Sequence, residues 1–465
     1  MHNSSQIFYF TFLVLLFAGT ALPSAVVKTL PGFDGDLPFT LETGYIGVGD
    51  SEDVQLFYYF VESQRSPAED PVILWLTGGP GCSSLVAFFY ESGPLAFTYS
   101  NYNGSLPSLH LNPYTWTKGL NIIYVDAPVG TGFSYSNSSE GYYSGDIESA
   151  VLTYEFLRKW MVEHPGFRSN QLYIGGDSYS GITVPLIVQE ILEGNDIKDN
   201  PRMNLKGYVL GNPKTDTFID TNSRISFAYH LTLIPKELYE ITYESCNGDF
   251  VNVDSSNEPC ETALQTIEEL ILEINLQQVL EPSCSLTSRE QRDRRSLREK
   301  STDLLLSQPK EHALWCRNYE NVLSGIWAND KTVQEALNVR EGTKEKWKMC
   351  NSSLSYTQEL SSVISYHRNF SNAAELRALI YSGDHDMSIP HIATREWIRS
   401  FNMTLMDAWR PWYVDAQVAG YTEQYTENDY VLTFATIKGA GHIAAAYKLK
   451  EAAAMIDRWF AYYPF

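Results

Sequence analysis

One serine in the middle of the chain restricts the fold more than any other feature. Residues 171–181 read Gln-Leu-Tyr-Ile-Gly-Gly-Asp-Ser-Tyr-Ser-Gly. The apolar run that ends at Ile174 predicts a buried strand, and the apolar residues from Val184 to Ile187 predict a helix. Only a very tight turn fits between them, so the residues around Ser178 must be small. Such a turn lifts the Ser178 hydroxyl above the sheet, at the positive end of the following helix.

This strand-turn-helix resembles the nucleophile elbow of α/β-hydrolases, whose pattern is G-x-S-x-G. Gly176 and Ser178 fit the pattern, whereas Ser180 stands at the second glycine position and Gly181 follows it. Because serine is also small, the departure is mild. A match this short also fits an ordinary turn serine, so the interpretation of Ser178 depends on the rest of the chain.

Short apolar runs alternate with helical patterns along much of the chain. Helical patterns cover residues 147–164 and 181–194. The runs that predict buried strands are residues 56–61, 72–76, 122–125, 172–174, 208–210, 378–381 and 431–437. This alternation predicts an α/β protein with a mostly parallel central sheet flanked by helices. Residues 26–50, which are rich in Gly and Pro, are expected to form an irregular lead-in.

Residues 215–345 differ from the flanking sequence, because they are richer in charge, lack clear strands and hold four of the six cysteines. We expect them to form a helical cap inserted between two parts of the α/β-hydrolase core, residues 26–214 and 346–465. A basic run at residues 289–300 fits a solvated helix or loop. It also fits a linker near residues 285–315 that is open to proteolysis, so the protein is expected as a monomer or as a processed two-chain form.

The N-terminus resembles a secretory signal peptide. Residues 7–18 are apolar and small residues follow them, so residues 1–25 are expected to be removed, with cleavage near Ala21 or Ala25. The run is too short to span a bilayer, and no second stretch is long enough for a membrane anchor. The secretory pathway is therefore the expected route.

The cysteines and sequons agree with this route. An even number of cysteines in a secreted chain indicates three disulfides, although spacing leaves their pairing open. No spacing of Cys and His predicts a metal site, and no motif implies an organic cofactor. The cysteines are Cys82, Cys246, Cys260, Cys284, Cys316 and Cys350. Glycosylation is expected at the sequons Asn103, Asn137, Asn351, Asn369 and Asn402.

The charge excludes some partners. The chain has 34 Lys and Arg against 56 Asp and Glu, a net charge of −22. A charge of this sign opposes binding to nucleic acid or to an anionic membrane.

A serine nucleophile needs a base and a third group that orients the base. In α/β-hydrolases the order along the chain is nucleophile, acid, histidine. Asp384 and Asp386 both follow a predicted strand downstream of Ser178, and the pattern does not choose between them. His442 follows the last predicted strand in a glycine-flanked loop. Both positions lie beyond the carboxyl end of a strand, where open α/β sheets build their sites.

Acyl transfer also needs N–H donors for the oxyanion. The amide of Tyr179, directly after the serine, is one candidate. The loop at residues 77–84, Thr-Gly-Gly-Pro-Gly-Cys-Ser-Ser, follows a predicted strand and suits the second donor. This loop is not a phosphate loop, because it lacks the Gly-Lys-Ser/Thr ending.

Taken together, these segments resemble the serine carboxypeptidase-like proteins of plants over nearly the whole mature chain. The matching stretches are Leu-Pro-Gly-Phe at 30, Glu-Thr-Gly-Tyr-Ile-Gly-Val at 42, Trp-Leu-Thr-Gly-Gly-Pro-Gly-Cys-Ser-Ser at 75, Leu-Asn-Pro-Tyr-Thr-Trp at 111, Ala-Pro-Val-Gly-Thr-Gly-Phe-Ser-Tyr-Ser at 127, Gly-Asp-Ser-Tyr-Ser-Gly at 176, Tyr-Ser-Gly-Asp-His-Asp at 381 and Gly-Ala-Gly-His at 439.

The resemblance implies a role for each of these positions. Ser178 would be the nucleophile, Asp386 rather than Asp384 the acid, and His442 the base. Gly79 and Tyr179 would supply the oxyanion amides. The disulfides would be Cys82–Cys350, Cys246–Cys260 and Cys284–Cys316, and any excised linker would fall near the basic run.

The family contains two activities. Its peptidases hold the substrate's terminal carboxylate with an Asn, a Gly and two Glu, and the matching positions here are Thr77, Gly78, Glu91 and Asp177. Thr77 replaces the amide donor, and Asp177 is one methylene shorter than Glu. The Gly-Asp-Ser-Tyr-Ser-Gly form is instead similar to acyltransferases of the vacuole, which use a 1-O-glucose ester as donor.

The resemblance therefore implies a serine acyltransferase that moves an acyl group from a 1-O-acyl-glucose to an alcohol or hydroxy acid. The alternative is a serine carboxypeptidase that acts at acidic pH, in the vacuole lumen or outside the cell. A binding or storage protein on the same scaffold is a third reading, which a complete triad disfavours. The segment Ile443-Ala-Ala-Ala-Tyr replaces the Thr-Ala-Pro-Glu-Tyr of many relatives, and a reshaped acceptor pocket, impaired activity and a neutral change all remain open.

Overall fold

The computed structural model has a large central sheet. It describes residues 25–99, 102, 104–197, 201–283, 317–371 and 375–465. Of residues 318–320 only the backbone is described. The predicted signal peptide up to residue 24, the sequon at Asn103, the Cys284–Cys316 pair and the linker at 285–315 lie outside these residues. The strands in chain order are β1 Ala25–Val27, β2 Leu41–Val48, β3 Val54–Val61, β4 Val72–Leu76, β5 Leu95–Phe97, β6 Leu109–Leu111, β7 Asn121–Val125, β8 Tyr135–Ser136, β9 Tyr143–Gly145, β10 Leu172–Asp177, β11 Leu205–Gly211, β12 Ser355–Thr357, β13 Arg377–Gly383, β14 Thr404–Val414, β15 Gln417–Glu427 and β16 Tyr430–Ile437.

Twelve of these strands form one sheet with the order β1-β2-β3-β7-β4-β10-β11-β13-β16-β15-β14, and β8 pairs with β3. The strands from β7 to β16 in this order are parallel. Those at both ends are antiparallel. The centre is thus the mostly parallel sheet that the alternating pattern predicts, and the fold is that of the α/β-hydrolases.

Helices cover both faces of this sheet. In chain order they are α1 Leu85–Tyr90, α2 Asp146–Glu163, α3 Ser180–Asp196, α4 Thr217–His230, α5 Lys236–Ser245, α6 Glu258–Ile271, α7 Arg317–Ala328, α8 Lys331–Ala336, α9 Ile364–Phe370, α10 His391–Ser400, α11 Ala444–Tyr447 and α12 Leu449–Phe460. Short 3-10 helices lie at Trp116–Lys118, Glu140–Tyr142 and Pro165–Phe167.

The two faces of the sheet form two hydrophobic cores, as alternate residues of β4 illustrate. Val72 and Leu74 belong to the core under α2 and α3. Ile73 and Trp75 point to the opposite core, which includes residues of α1, α7 and α12. Because both faces are buried, the central strands are continuous apolar runs, which is why the sequence predicts them well.

The expected lead-in at residues 26–50 is more regular than the sequence indicates. Its glycine-rich part forms β2, which pairs with β3 over eight residues from Leu41 with Val61 to Val48 with Val54. The backbone hydrogen bonds of this pairing outweigh the low strand preference of glycine.

Helices α4 to α8 lie in the segment where the sequence predicts a helical cap. Helices α4 to α6 share a separate small core that includes Phe227 and Ile267. Residues 317–345, which the sequence places in the cap, contribute Leu323 and Trp327 to the main core, together with Trp347 just beyond them. The Trp327 indole N–H also donates to Pro31 O at 2.7 Å. Burial of these large side chains against the sheet draws this segment into the core.

No helix in the part of the chain that the structure describes is long and apolar enough to cross a membrane.

Candidate active site

Ser178 occupies the turn between β10, which ends at Asp177, and α3, which begins at Ser180. Its φ is 56°, in the left-handed region that side chains other than glycine rarely adopt. Two backbone bonds hold it there: Ser178 N–H donates to Gly211 O at 2.9 Å, and Lys214 N–H donates to Ser178 O at 2.8 Å. Strain of this kind concentrates at functional sites.

The side chain at position 180 shows why serine is accepted at the second glycine position. A Cβ added to Gly176 would lie 2.6 Å from Ser180 Cβ, so the two positions share a narrow space. The Ser180 hydroxyl donates to Leu76 O at 3.3 Å. A small side chain with its own acceptor fits beneath the elbow.

Ser178, His442 and Asp386, which are far apart in the sequence, form one hydrogen-bonded chain. Ser178 Oγ lies 2.7 Å from His442 Nε2. His442 Nδ1 lies 2.7 Å from Asp386 Oδ2. His442 is 7% exposed and Asp386 is 0% exposed. A proton can therefore pass from the hydroxyl to an imidazole whose other nitrogen faces a buried carboxylate.

The buried Asp386 carboxylate receives several donors besides His442. Oδ2 accepts from Asn212 Nδ2 at 2.8 Å. Oδ1 accepts from Ser388 N–H at 2.7 Å and Ile389 N–H at 3.3 Å. These contacts fix the orientation of the carboxylate that faces His442.

Asn212 is a residue of the site that the sequence patterns do not single out. Its Oδ1 accepts from Gly383 N–H at 3.1 Å, which turns its Nδ2 toward Asp386. The available signal is its position directly after β11, at the same carboxyl edge of the sheet as Ser178 and Asp386.

Asp384, the second candidate acid, contacts the loop that carries His442 but not its imidazole. Its Oδ1 lies 2.6 Å from His385 Nδ1 and accepts from Gly439 N–H at 2.6 Å. The structure thus brings Asp386 to His442 and uses Asp384 to join the two loops that carry the acid and the histidine.

A short segment after α6 binds both of these loops. Leu276 O accepts the N–H groups of Met387 and Ser388 at 2.8 and 3.0 Å, and Gln277 O accepts from His442 N–H at 2.7 Å. A Cβ added to Gly441 would lie 2.2 Å from Gln277 O, so only glycine allows this approach. The cap therefore helps to hold the imidazole in place.

The environment of His442 has opposing effects on its pKa. Burial lowers the pKa, whereas the charge of Asp386 and its hydrogen bond raise it, with Asp177 adding to the increase. The net effect raises the pKa above that of an ordinary histidine, because the nearby carboxylates stabilise the imidazolium.

The glycine-rich loop after β4 packs directly against the elbow. A Cβ added to Gly78 would lie 2.6 Å from Ser178 Cβ and 2.7 Å from Tyr179 N. Gly79, the next residue, has a φ of 118°, which only glycine adopts freely. The Gly79 loop and the Tyr179 amide are thus adjacent at the nucleophile.

This loop is fixed to a distant segment. A Cys82–Cys350 disulfide joins the two, Ser83 N–H donates to Met349 O at 2.8 Å, and Asn351 N–H donates to Gly81 O at 2.9 Å. A second disulfide, Cys246–Cys260, lies in the cap. Both pairings are those that the family resemblance implies.

We expect the double variant Cys82→Ser/Cys350→Ser to lower both thermal stability and kcat. The disulfide joins residues separated by 268 positions, and removal of a native disulfide typically costs ~2–5 kcal/mol of stability. The loop that it frees carries Gly79. The control is Cys246→Ser/Cys260→Ser. This pair joins residues only 14 positions apart in the sequence, and it lies in the cap rather than on the Gly79 loop. Unfolding curves and kcat are the measurements, and an equal fall in kcat for both variants would contradict this expectation.

Two buried carboxyl groups lie beside the nucleophile. Glu91 is 1% exposed and Asp177 is 2% exposed. Burial, with a further contribution from Asp177, raises the pKa of Glu91 well above its usual range. Burial also raises the pKa of Asp177 to about 6, against the smaller opposing effect of His442. At mildly acidic pH both groups are therefore neutral.

Their hydrogen bonds differ. Asp177 Oδ1 accepts from Gly78 N–H at 3.3 Å. Both oxygens of Glu91 are buried without a partner in the described chain, as is the Thr77 hydroxyl. Three of the four positions implied for substrate binding thus carry buried polar side chains, and one of them, Asp177, directly precedes Ser178.

The sequons differ in exposure. Asn137, Asn369 and Asn402 are exposed. Asn351 is half-buried, and its Nδ2 donates to Gly130 O at 3.1 Å. Within the described ranges, no cluster of three or more His, Cys, Asp or Glu side chains could hold a metal ion.

Comparisons with known proteins agree with this geometry. The serine carboxypeptidase family model matches residues 31–462. Serine carboxypeptidase-like 16 of Arabidopsis thaliana is 45% identical over 449 residues, covering 97% of this chain and 96% of the relative. Serine carboxypeptidase-like 13 of the same plant is 44% identical over 458 residues, covering 98% of each.

Among solved structures, the crystal structure of Kex1(delta)p, a prohormone-processing carboxypeptidase from Saccharomyces cerevisiae, is similar with a TM-score of 0.73. Its sequence identity is 20%, and the match covers 94% of this chain and 95% of that one. At this identity the likeness shows the fold alone, whereas the family model and the plant relatives cover nearly the full chain. The chain belongs to the serine carboxypeptidase family.

Proposed function

We propose that this protein is a serine acyltransferase that moves an acyl group from a 1-O-acyl-glucose to the hydroxyl of an alcohol or hydroxy acid. In this proposal Ser178 is the nucleophile, His442 the general base and acid, and Asp386 the group that orients and stabilises the imidazolium. The amides of Gly79 and Tyr179 bind the oxyanion.

The reaction has two halves. Ser178 Oγ attacks the ester carbonyl while His442 Nε2 takes its proton, and the bond from the acyl carbon to the glucose oxygen breaks as His442 returns the proton to that oxygen. The acceptor hydroxyl then attacks the acyl-enzyme and gives its proton to His442. The new ester forms and Ser178 regains its proton, so atoms and charges balance.

The observation that favours acyl transfer over carboxypeptidase activity is the hydrogen bond from Gly78 N–H to Asp177 Oδ1. The family resemblance implies that peptidases use this glycine, with an Asn and two Glu, to hold a terminal carboxylate. Here the donor is directed to a carboxylate of the protein itself, and Thr77 replaces the amide. A carboxylate clamp with fewer donors favours a substrate without a terminal carboxylate.

The buried carboxyl pair is compatible with a sugar. Carboxylate and carboxylic acid oxygens accept hydrogen bonds from hydroxyl groups. In this proposal the unpartnered oxygens of Glu91 accept hydrogen bonds from glucose hydroxyls of the donor. Because both carboxyl groups are protonated at mildly acidic pH, they can also donate hydrogen bonds to the oxygens of a neutral sugar.

Glu91 also supports the alternative, a serine carboxypeptidase. Its raised pKa keeps the group protonated, and a protonated carboxyl group donates a hydrogen bond to a peptide carboxylate. This activity would be confined to acidic pH, where Asp177 is also neutral.

Purified protein should be incubated with 1-O-acyl-glucoses and hydroxyl acceptors, and separately with blocked dipeptides, with products read by mass spectrometry. New esters from wild type but not from Ser178→Ala support the proposal. Release of C-terminal residues without ester formation would support the peptidase instead.

The two disulfides of the described residues are consistent with folding in an oxidising compartment. We propose the vacuole lumen, with the extracellular space as the second candidate. If the protein works in an acidic lumen, its folded state should be stable at acidic pH.

We expect the protein to be more stable at about pH 5 than at about pH 7.5. Burial raises the pKa of Asp126 and Asp177 to about 6 and that of Asp220 to about 7. Unfolded carboxyl groups titrate near about 4. Between these values the folded protein binds more protons than the unfolded chain, so its stability rises as the pH falls.

Two buried histidines oppose this effect. Burial lowers the pKa of His367 to about 3 and that of His391 to about 4, below the unfolded value of about 6.5. These two histidines lower the stability of the folded protein as the pH falls below that value. The four carboxyl groups with raised pKa, Asp126, Asp177, Asp220 and Glu91, act in the opposite direction and outnumber them. The measurement is the Tm of thermal unfolding at the two pH values. Asp220→Asn should reduce the difference between the two Tm values. A lower Tm at about pH 5 than at about pH 7.5 would contradict this expectation.

A further inference from the structure

Arg224 places a positive charge beside the acid loop of an otherwise acidic site. It lies on α4 of the cap, whose Phe227 and Ala228 share a small core with Met387, the residue after Asp386. Its Nε and Nη2 donate to Ser388 O at 3.1 and 2.7 Å. Ser388 N–H donates to Asp386 Oδ1, so the guanidinium is anchored two residues from the carboxylate that faces His442.

The guanidinium has donors left over. Both hydrogen bonds that the described chain gives it go to one neutral carbonyl oxygen, and neither goes to a carboxylate. Nη1 and the second N–H of Nη2 form a planar edge that suits a carboxylate. A half-buried arginine with a free edge is unusual in a chain with 56 acidic and 34 basic residues.

The charge of Arg224 reaches the reacting groups. Burial and the carboxylates of Asp386 and Asp177 determine the pKa of His442, and Arg224 opposes the carboxylates by lowering it. The guanidinium is therefore within electrostatic range of the imidazole that would take the proton of an acceptor hydroxyl.

From this geometry we infer that Arg224 binds the carboxylate of a hydroxy-acid acceptor, whose hydroxyl then reaches His442. This inference rests on the proposed acyl transfer and narrows its acceptor class from alcohols in general to hydroxy acids. The two sides of the site differ in charge. The carboxyl groups of Glu91 and Asp177, whose pKa values are raised by burial, suit the neutral glucose of the donor, whereas Arg224 offers a cation for the acceptor. A charge-assisted bidentate contact orients the acceptor before attack.

The test compares small hydroxy acids with their own methyl esters as acceptors, with one 1-O-acyl-glucose donor. Wild type should have the lower KM for each acid. Arg224→Gln keeps a donor for Ser388 O but removes the charge, so KM for the acids should rise roughly 10- to 100-fold, the usual range for a charge-assisted hydrogen bond. KM for the methyl esters and for the donor should stay within about 2-fold, since neither carries a carboxylate. Arg224→Lys should recover part of the loss.

The control variant is Arg368→Gln, which removes an arginine paired with Glu427 at 2.8 Å and should leave both acceptors unchanged. If Arg224→Gln reduces transfer to acids and esters equally, Arg224 only supports the loop and the inference is wrong. Equal KM values for acids and esters in wild type overturn the inference but leave acyl transfer standing. Absence of transfer to every acceptor overturns the proposed function itself.

Discussion

Ser178→Ala is expected to reduce the rate of product formation by about 10⁶-fold, the loss seen when a triad serine is removed. The hydroxyl is the group 2.7 Å from His442 Nε2, and alanine leaves the imidazole with nothing to deprotonate. The methyl side chain keeps the small volume that the elbow requires, so the fold should persist. Rates of ester formation with a 1-O-acyl-glucose donor, and labelling by a fluorophosphonate probe, measure the effect.

The matched control is Ser180→Ala, two residues away on the same turn. Its hydroxyl donates to Leu76 O and does not contact His442. This variant should keep its labelling and lose at most about 10-fold in rate, since one neutral hydrogen bond contributes ~1 kcal/mol. Labelling of Ser178→Ala equal to wild type would exclude Ser178 as the nucleophile.

Asp386→Asn is expected to lower kcat by about 10⁴-fold, as found when the acid of such a triad becomes an amide. Asp386 Oδ2 faces His442 Nδ1 at 2.7 Å. An amide there stabilises the wrong tautomer and supplies no charge for the imidazolium. Asn212 would also lose its strongest acceptor. Steady-state kinetics over a range of pH, with near-unchanged Tm, test the effect.

Asp384→Asn provides the comparison, because it changes the same chemical group two residues earlier. Its contacts are His385 Nδ1 and Gly439 N–H, so it should loosen the two loops and lower kcat far less. Equal losses in the two variants would show that His442 is oriented by the loops together rather than by Asp386.

The central strands are predictable from the sequence because burial on both faces removes any need for alternation. The run at residues 72–76 coincides with β4, and that at 431–437 falls within β16. Their carboxyl ends then bring Ser178, Asp386 and His442 to one edge of the sheet. The order along the chain and the sheet's parallel topology are thus enough to place the triad residues close together.

The two strands of the β14–β15 hairpin are not predicted from the sequence, and the reason is physical. Its outer strand, β14, lies at the end of the sheet and keeps many exposed side chains, and neither strand is a continuous apolar run. Its two-residue turn uses Asp415 and Ala416, with φ of 48° and 59°, where Asn-Gly is the usual signal. The hairpin is stabilised by the pairing of β15 with β16, which the turn sequence alone does not indicate.

The choice between Asp384 and Asp386, and the contacts of the cap, depend on geometry that no local pattern encodes. Leu276 and Gln277 act through backbone carbonyl oxygens, which every residue carries. Their side chains therefore give no signal in the sequence. Asn212 does follow a strand end, but its role appears only when the acid loop folds beside it.

The Cys82–Cys350 bond has a consequence for a cut anywhere between residues 284 and 316. One fragment would retain the serine and the other the aspartate and histidine, so the reaction would depend on two separate polypeptides. The cystine at 82 and 350 would be a covalent tie across that cut. Adding a thiol reductant to a nicked sample would leave the two halves joined only by non-covalent contacts, such as the pairing of β11 with β13, whereas an uncut sample would keep its parts on one chain.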